Sequence, residues 1–172
     1  TLAIAAGAGW ARTAGAAEQA IRLGGIDSVV WTPGPDVPKP WLVVAFSRGI
    51  HLSPTQARFL TEALAQAGYL VVAPNHEDSN CDDRGLSLPS ASQLAIKPPF
   101  LWTDRDYRNR GDDVKTVLAA LFADEAFRGA ADASRVALAG HSLGGYPVLG
   151  LAGAWPSWTL AGVWPASDEC RW

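Results

Sequence analysis

Three short apolar runs punctuate the chain, at residues 41–46, 69–73 and 136–139, each bounded by polar or turn-forming residues. Their apolar character is continuous rather than alternating. That is what a strand covered on both faces shows, so they read as buried strands of a parallel sheet. Segments of helical period lie between them. Ser53 opens the first, Pro54 suits the first helical position, and Ser53 with Gln56 forms a capping box. Ala57, Leu60, Ala63, Leu64 and Ala67 fall on one face, and Gly68 supplies the usual C-terminal stop. The second helix runs from about 104 to 123, with Val114, Val117, Leu118, Leu121 and Phe122 on its apolar face. Asp104 and Asp106 suit the positive end of its dipole.

Ahead of the first apolar run, residues 17–23 and 26–32 flank Gly24-Gly25, the pattern of a tight hairpin. Pro33-Gly34-Pro35, Pro38 and Pro40 make a turn-rich connector. Residues 86–99 carry Ser and Pro throughout and read as a short lid or cap. A third helix follows residue 142 and ends near 153 or 156, and 160–164 reads as a last short strand. Strands alternating with helices imply right-handed crossovers, hence an α/β three-layer αβα sandwich around a mostly parallel sheet. In such a sheet the functional loops gather at the C-terminal ends of the strands. The loops 47–52, 74–83 and 140–144 qualify.

The composition agrees with one globular domain: 172 residues, 48% hydrophobic and 18% charged. A net charge of -3 with no long basic run speaks against nucleic-acid binding. No apolar stretch approaches a membrane span. Cys81 and Cys170 are too few for a disulfide framework and form no metal-type pair. The eight Trp are many for this length and read first as core, or as the lining of an apolar pocket together with Phe100. The chain starts at Thr and contains no Met, so a start upstream is expected. Residues 2–17 resemble the tail of a secretion signal without its basic leader, which leaves a cytoplasmic or secreted location open.

The chemistry concentrates where the strand at 136–139 runs into Gly140-His141-Ser142-Leu143-Gly144-Gly145. Gly-x-Ser-x-Gly after a strand is the pattern of a nucleophile elbow. The serine backbone is strained at such a turn, and side chains two residues either side would collide. Gly140 and Gly144 remove them, and Gly145 leaves further room for the helix. Alone, the five-residue motif is weak in a chain with 17 glycines, and the preceding buried strand is what strengthens it. An ordinary serine on a Gly-rich turn is the rival reading.

Four segments together resemble the α/β-hydrolase superfamily, and within it the dienelactone hydrolase and platelet-activating-factor acetylhydrolase group. They are Val43-Val-Ala-Phe-Ser-Arg48-Gly49, the stretch Leu64 through His76, Asn109-Arg110 through Leu121, and the elbow. The first looks like the oxyanion strand and loop that usually reads F-S-H-G. The resemblance implies that Ser142 attacks an ester carbonyl to form an acyl-enzyme that water releases. It implies two backbone donors for the oxyanion, Leu143 and the Gly49/Ile50 part of the first loop, with Ile50 favoured. It implies no cofactor and no metal. The partner is then a small-molecule or lipid-like ester.

The resemblance has gaps. The superfamily order is Ser, then Asp or Glu, then His, whereas His51, His76 and His141 all precede Ser142. His141 points away from the nucleophile in the family. His76 and His51 shape the site more readily than they serve as base. Asp168 is a weak candidate for the acid. The chain reads as lacking the last strands of the fold, with a dimer or a second chain able to complete the sheet. A non-catalytic hydrolase-like binding protein is the alternative. Arg48, where the family has His, either holds an acidic substrate group or is a surface arginine, the second being simpler. Pro147 inside the last helix predicts a kink. Asn75-His76-Glu77-Asp78 with Asp82-Asp83 reads as a solvated acidic loop rather than a cation site, since the spacing matches no EF-hand.

Overall fold

The computed structural model describes residues 15–49, 53–77 and 104–153. Strands β1 (Ala17–Leu23), β2 (Ile26–Thr32), β3 (Trp41–Ser47), β4 (Leu70–Pro74) and β5 (Ala131–Gly140) form one sheet in the order β1-β2-β4-β3-β5. Helices α1 (Arg58–Gln66), α2 (Asp104–Ala123) and α3 (Gly145–Leu151) complete the described elements, α3 being entered through a 3-10 turn at Ser142–Gly144. The sheet is mixed rather than uniformly parallel: β1-β2 and β2-β4 pair antiparallel, while β4-β3 and β3-β5 pair parallel. The hairpin around Gly24-Gly25 forms as the sequence implies, both glycines taking positive φ (58° and 85°).

The two faces of the sheet sort by the alternation of side chains along each strand. Leu23, Val30, Trp41, Val43, Ala45, Leu70 and Val72 pack with Val114, Val117 and Leu121 of α2. Val29, Trp31, Val44, Phe46, Val71 and Ala73 pack with Ala57 and Ala65 of the α1 side. Leu151 of α3 joins the α2 side, so the layers are helix, sheet and helix. The central strands are apolar at consecutive positions because both faces are covered.

Three expectations are corrected. The buried positions of α1 are Thr61 and Ala65, with Ala57 just ahead of them, while Leu60, Ala63 and Ala67 are exposed; the stripe is rotated from the one read in the sequence. The capping box is not made: the helix begins after a turn over 54–57, with Ala57 at the N-cap and no side-chain cap. Gln56 is used elsewhere, as described below. Pro147 falls in the first turn of α3, where amide groups have no intrahelical partner, so it demands no kink.

β5 is longer than expected and is an edge strand among the described strands, with residues 133–137 exposed rather than covered on both faces. Its pairing with β3 shifts between Leu42 and Val43, whose partners are Asp132 and Val136. The extra residues are tied down locally. The Asp132 carboxylate accepts from the Ser134 amide (2.9 Å) and from Arg135 Nε (2.6 Å), and with the Ser134 hydroxyl these bonds pull its pKa down to about 2.

Candidate active site

β3, β4 and β5 run parallel, so their C-terminal ends meet at one edge of the sheet. β5 reaches its last residue, Gly140, opposite Ser47, and the His141 amide extends the ladder by donating to the Ser47 carbonyl at 3.0 Å. The chain then reverses. Ser142 has φ 50°, the single non-glycine residue at positive φ among the described residues. A left-handed serine costs on the order of 1–2 kcal/mol. The Gly144 amide closes the turn on the His141 carbonyl at 2.9 Å. Ser142 itself is exposed.

The flanking glycines are forced by contact. A Cβ on Gly140 would lie 2.3 Å from the Gly144 carbonyl oxygen and 2.8 Å from the Gly145 nitrogen. A Cβ on Gly144 would lie 2.0 Å from the Ser47 carbonyl oxygen and 2.5 Å from that of Arg48. Both obstacles are backbone, so neither can swing aside. Gly145 differs: no atom lies within 4 Å of its virtual Cβ, so the room ascribed to it in the sequence is not needed.

Beneath this turn lies a buried polar network. Arg48 is 0% exposed, which overturns the surface reading; its Nη1 donates to the Gly49 carbonyl (2.9 Å) and its Nη2 to the His76 carbonyl (2.8 Å). Arg110, on α2 and 2% exposed, donates to the carbonyls of Arg48 (2.8 Å) and Gly49 (3.1 Å). His76 is 1% exposed, with Nδ1 2.7 Å from Asp113 Oδ2 and Nε2 3.0 Å from Ser47 Oγ. Burial holds His76 below its usual value; the Asp113 hydrogen bond opposes this, and the Arg110 and Arg48 charges add to it. The ring is therefore neutral near pH 7, and its contact with Asp113 is a hydrogen bond rather than an ion pair. Nδ1–H donates to the carboxylate, and Nε2 accepts the Ser47 hydroxyl proton.

Above the network, the Gly49 amide donates to Gln56 Oε1 at 2.9 Å, and Gln56 Nε2 lies 2.8 Å from His141 Nδ1. Structure thus brings Ser142, Leu143, Arg48 and His76 of the sequence candidates to one end of the sheet. Ile50, His51 and Asp168 lie outside the described residues, as do the lid at 86–99, the strand at 160–164, both cysteines and most of the acidic loop. No group of three or more His, Cys, Asp or Glu able to hold a metal occurs among the described residues. Sequence reading missed the roles of Ser47, Gln56, Arg110 and Asp113. Arg110 carried a signal, since it sits four residues before Val114 and seven before Val117, on the apolar stripe of α2. An arginine on a buried stripe needs partners, and here they are backbone carbonyls.

This architecture, with a strained serine turn between the third parallel strand and a helix, is the α/β-hydrolase fold. Within that fold the chain is similar to dienelactone hydrolase-like structures. A dienelactone hydrolase-like promiscuous phosphotriesterase, P91, from metagenomic libraries superposes with a TM-score of 0.57 at 20% identity over 81% of this chain and 56% of its own. A putative dienelactone hydrolase from Klebsiella pneumoniae gives 0.51 at 22% identity over 77% and 51%. A ferulic acid esterase from Streptomyces cinnamoneus gives 0.54 at 21% over 72% and 46%. The chain therefore spans about half the length of these structures. No family model and no curated protein matches the sequence.

Proposed function

We propose that the protein is a serine hydrolase of carboxylic esters, with Ser142 as the nucleophile. The observation that carries this is the exposed Ser142 at φ 50°, packed between two glycines that backbone atoms forbid from bearing a side chain. A strained residue held by such contacts is the kind of site where strain serves function. Ser142 Oγ attacks the acyl carbonyl carbon as a base takes its proton; the alcohol leaves and water then hydrolyses the acyl-enzyme. Leu143, second in the 3-10 turn, has an amide without a partner inside that turn and donates to the oxyanion. The second donor is Ile50. The hydrolases, esterase and lipase among the structural neighbours support hydrolysis as the reaction class.

The proposed base comes from outside the described residues. Both ring nitrogens of His76 are engaged, one by Asp113 and one by Ser47. His141 Nδ1 is engaged by Gln56. His76, Arg48, Arg110 and Asp113 shape the site from beneath. Treatment with a fluorophosphonate probe tests the reading, followed by turnover of p-nitrophenyl acetate. Stoichiometric labelling that Ser142→Ala abolishes is expected, either in these 172 residues or in a gene product extended downstream. Failure of both proteins to label would overturn it and leave the non-catalytic binding protein.

A further inference from the structure

The loop that leaves β3 is held from two sides, and this bears on which amide serves the oxyanion. Resting on the serine hydrolase reading, we infer that Gln56 is a positioning residue. It occupies the Gly49 amide and ties the loop after β3 to the residue preceding Ser142.

The hydrogen bonds fix the orientation of the Gln56 amide without ambiguity. The Gly49 N–H can only donate, so the Gln56 atom 2.9 Å from it is the carbonyl oxygen. The other end of the amide is then the NH2 group, a pure donor, and His141 Nδ1 at 2.8 Å must accept. One side chain thus joins the loop after β3 to the residue preceding the nucleophile, 85 positions along the chain from Gln56. This explains the missing capping box: Gln56 lies ahead of α1 with its backbone amide on the Ser53 carbonyl (3.1 Å), and its side chain turns to Gly49 instead.

Arg110 makes the opposite half of the grip. In a trans peptide the carbonyl and the following N–H point in opposite directions. The Arg48 carbonyl faces Arg110 at 2.8 Å, so the Gly49 N–H faces away from α2, towards Gln56. Rotating that peptide would break a charge-assisted hydrogen bond to Arg110 on one side and the hydrogen bond from the Gly49 N–H to Gln56 on the other. The Gly49 N–H, already satisfied, is withdrawn from substrate.

The test separates the link from the chemistry. In the 172-residue chain, 15N NMR of the His141 ring is expected to show Nδ1 without a proton and Nε2 with one. Gln56→Glu keeps an acceptor for Gly49 but offers His141 no donor, so the proton is expected to move to Nδ1. In Gln56→Ala, amide exchange at Gly49 is expected to rise by about 10-fold or more, as a broken protecting bond allows. In whichever protein labels, phosphonylation of Ser142 is expected to slow by about 10- to 100-fold in Gln56→Ala, as for a misplaced catalytic group. The probe concentration for half-saturation should hold, with partial rescue of the labelling rate in Gln56→Glu. A protonated Nδ1 in the wild type, or Gly49 exchange unchanged in Gln56→Ala, would overturn the link. An intact link with an unchanged labelling rate would overturn the positioning role. Failure of both the 172-residue chain and the extended product to label sinks the hydrolase reading itself, while the NMR results still decide the link.

Discussion

Replacing Gly144 by Ala is the sharpest test of the elbow, because the cost can be worked from the contacts. The new Cβ would stand 2.0 Å from the Ser47 carbonyl oxygen and 2.5 Å from that of Arg48, whereas ordinary contact begins at 3.4 Å. The β3 loop and the elbow must therefore part by more than an ångström. Two bonds do not survive that movement, His141 N–H to Ser47 (3.0 Å) and Arg110 to Arg48 (2.8 Å). A neutral bond contributes about 1 kcal/mol and a charged one about 1.5–3, so the expected loss is about 2.5–4 kcal/mol. Gly145→Ala is the matched control. Its Cβ meets nothing within 4 Å and its φ is -65°, so an unchanged or slightly higher stability is expected, by up to about 1 kcal/mol. Urea unfolding followed by tryptophan fluorescence measures both. A Gly144→Ala variant within about 0.5 kcal/mol of wild type, the ordinary range for a harmless surface change, would refute the close packing of the elbow.

Three further outcomes follow from the same geometry. Ser142→Gly relieves the left-handed strain and should raise stability by about 1 kcal/mol, once the added chain entropy of glycine is subtracted, while abolishing any labelling; a lower urea midpoint would contradict the strain. His76 has a folded pKa below its unfolded value of 6.5, so the unfolded chain binds the proton first. Its stabilising effect is complete above about pH 6.5 and declines as pH falls through the window beneath, by up to about 1.4 kcal/mol per pH unit. Comparing wild type with His76→Gln between pH 7 and 5 isolates this; parallel stability curves would show that His76 does not titrate there. Arg110→Met removes the donors to the Arg48 and Gly49 carbonyls and should cost about 3 kcal/mol or more in a urea melt, since those buried acceptors lose charged partners. A loss below about 1 kcal/mol would mean the carbonyls find other donors.

Much of the fold was legible because it depends on local pattern. The hairpin at Gly24-Gly25, the strands at 41–46 and 69–73 and the span of α2 follow from apolar runs and turn residues, and all appear close to their expected limits. Two readings failed where a local rule met a tertiary demand. Ser53 and Gln56 have the spacing of a capping box, but the Gly49 amide competes for the Gln56 oxygen and takes it. Arg48 reads as a surface residue next to a loop, but the carbonyls of Gly49 and His76 offer it buried acceptors.

The sequence by itself determined the layer architecture and the place of the Gly140-His141-Ser142-Leu143-Gly144 turn after the third apolar run. These rest on the period of apolar residues and on glycine at two positions where no side chain fits. Only the tertiary structure decided which polar side chains serve the site. Ser47 ends β3, His76 lies in the loop after β4 and Asp113 on α2, and Arg110 reaches carbonyls more than 60 residues away. No spacing along the chain encodes such contacts. They exist because parallel strands β3, β4 and β5 end together, bringing their loops within reach of α2 and of one another.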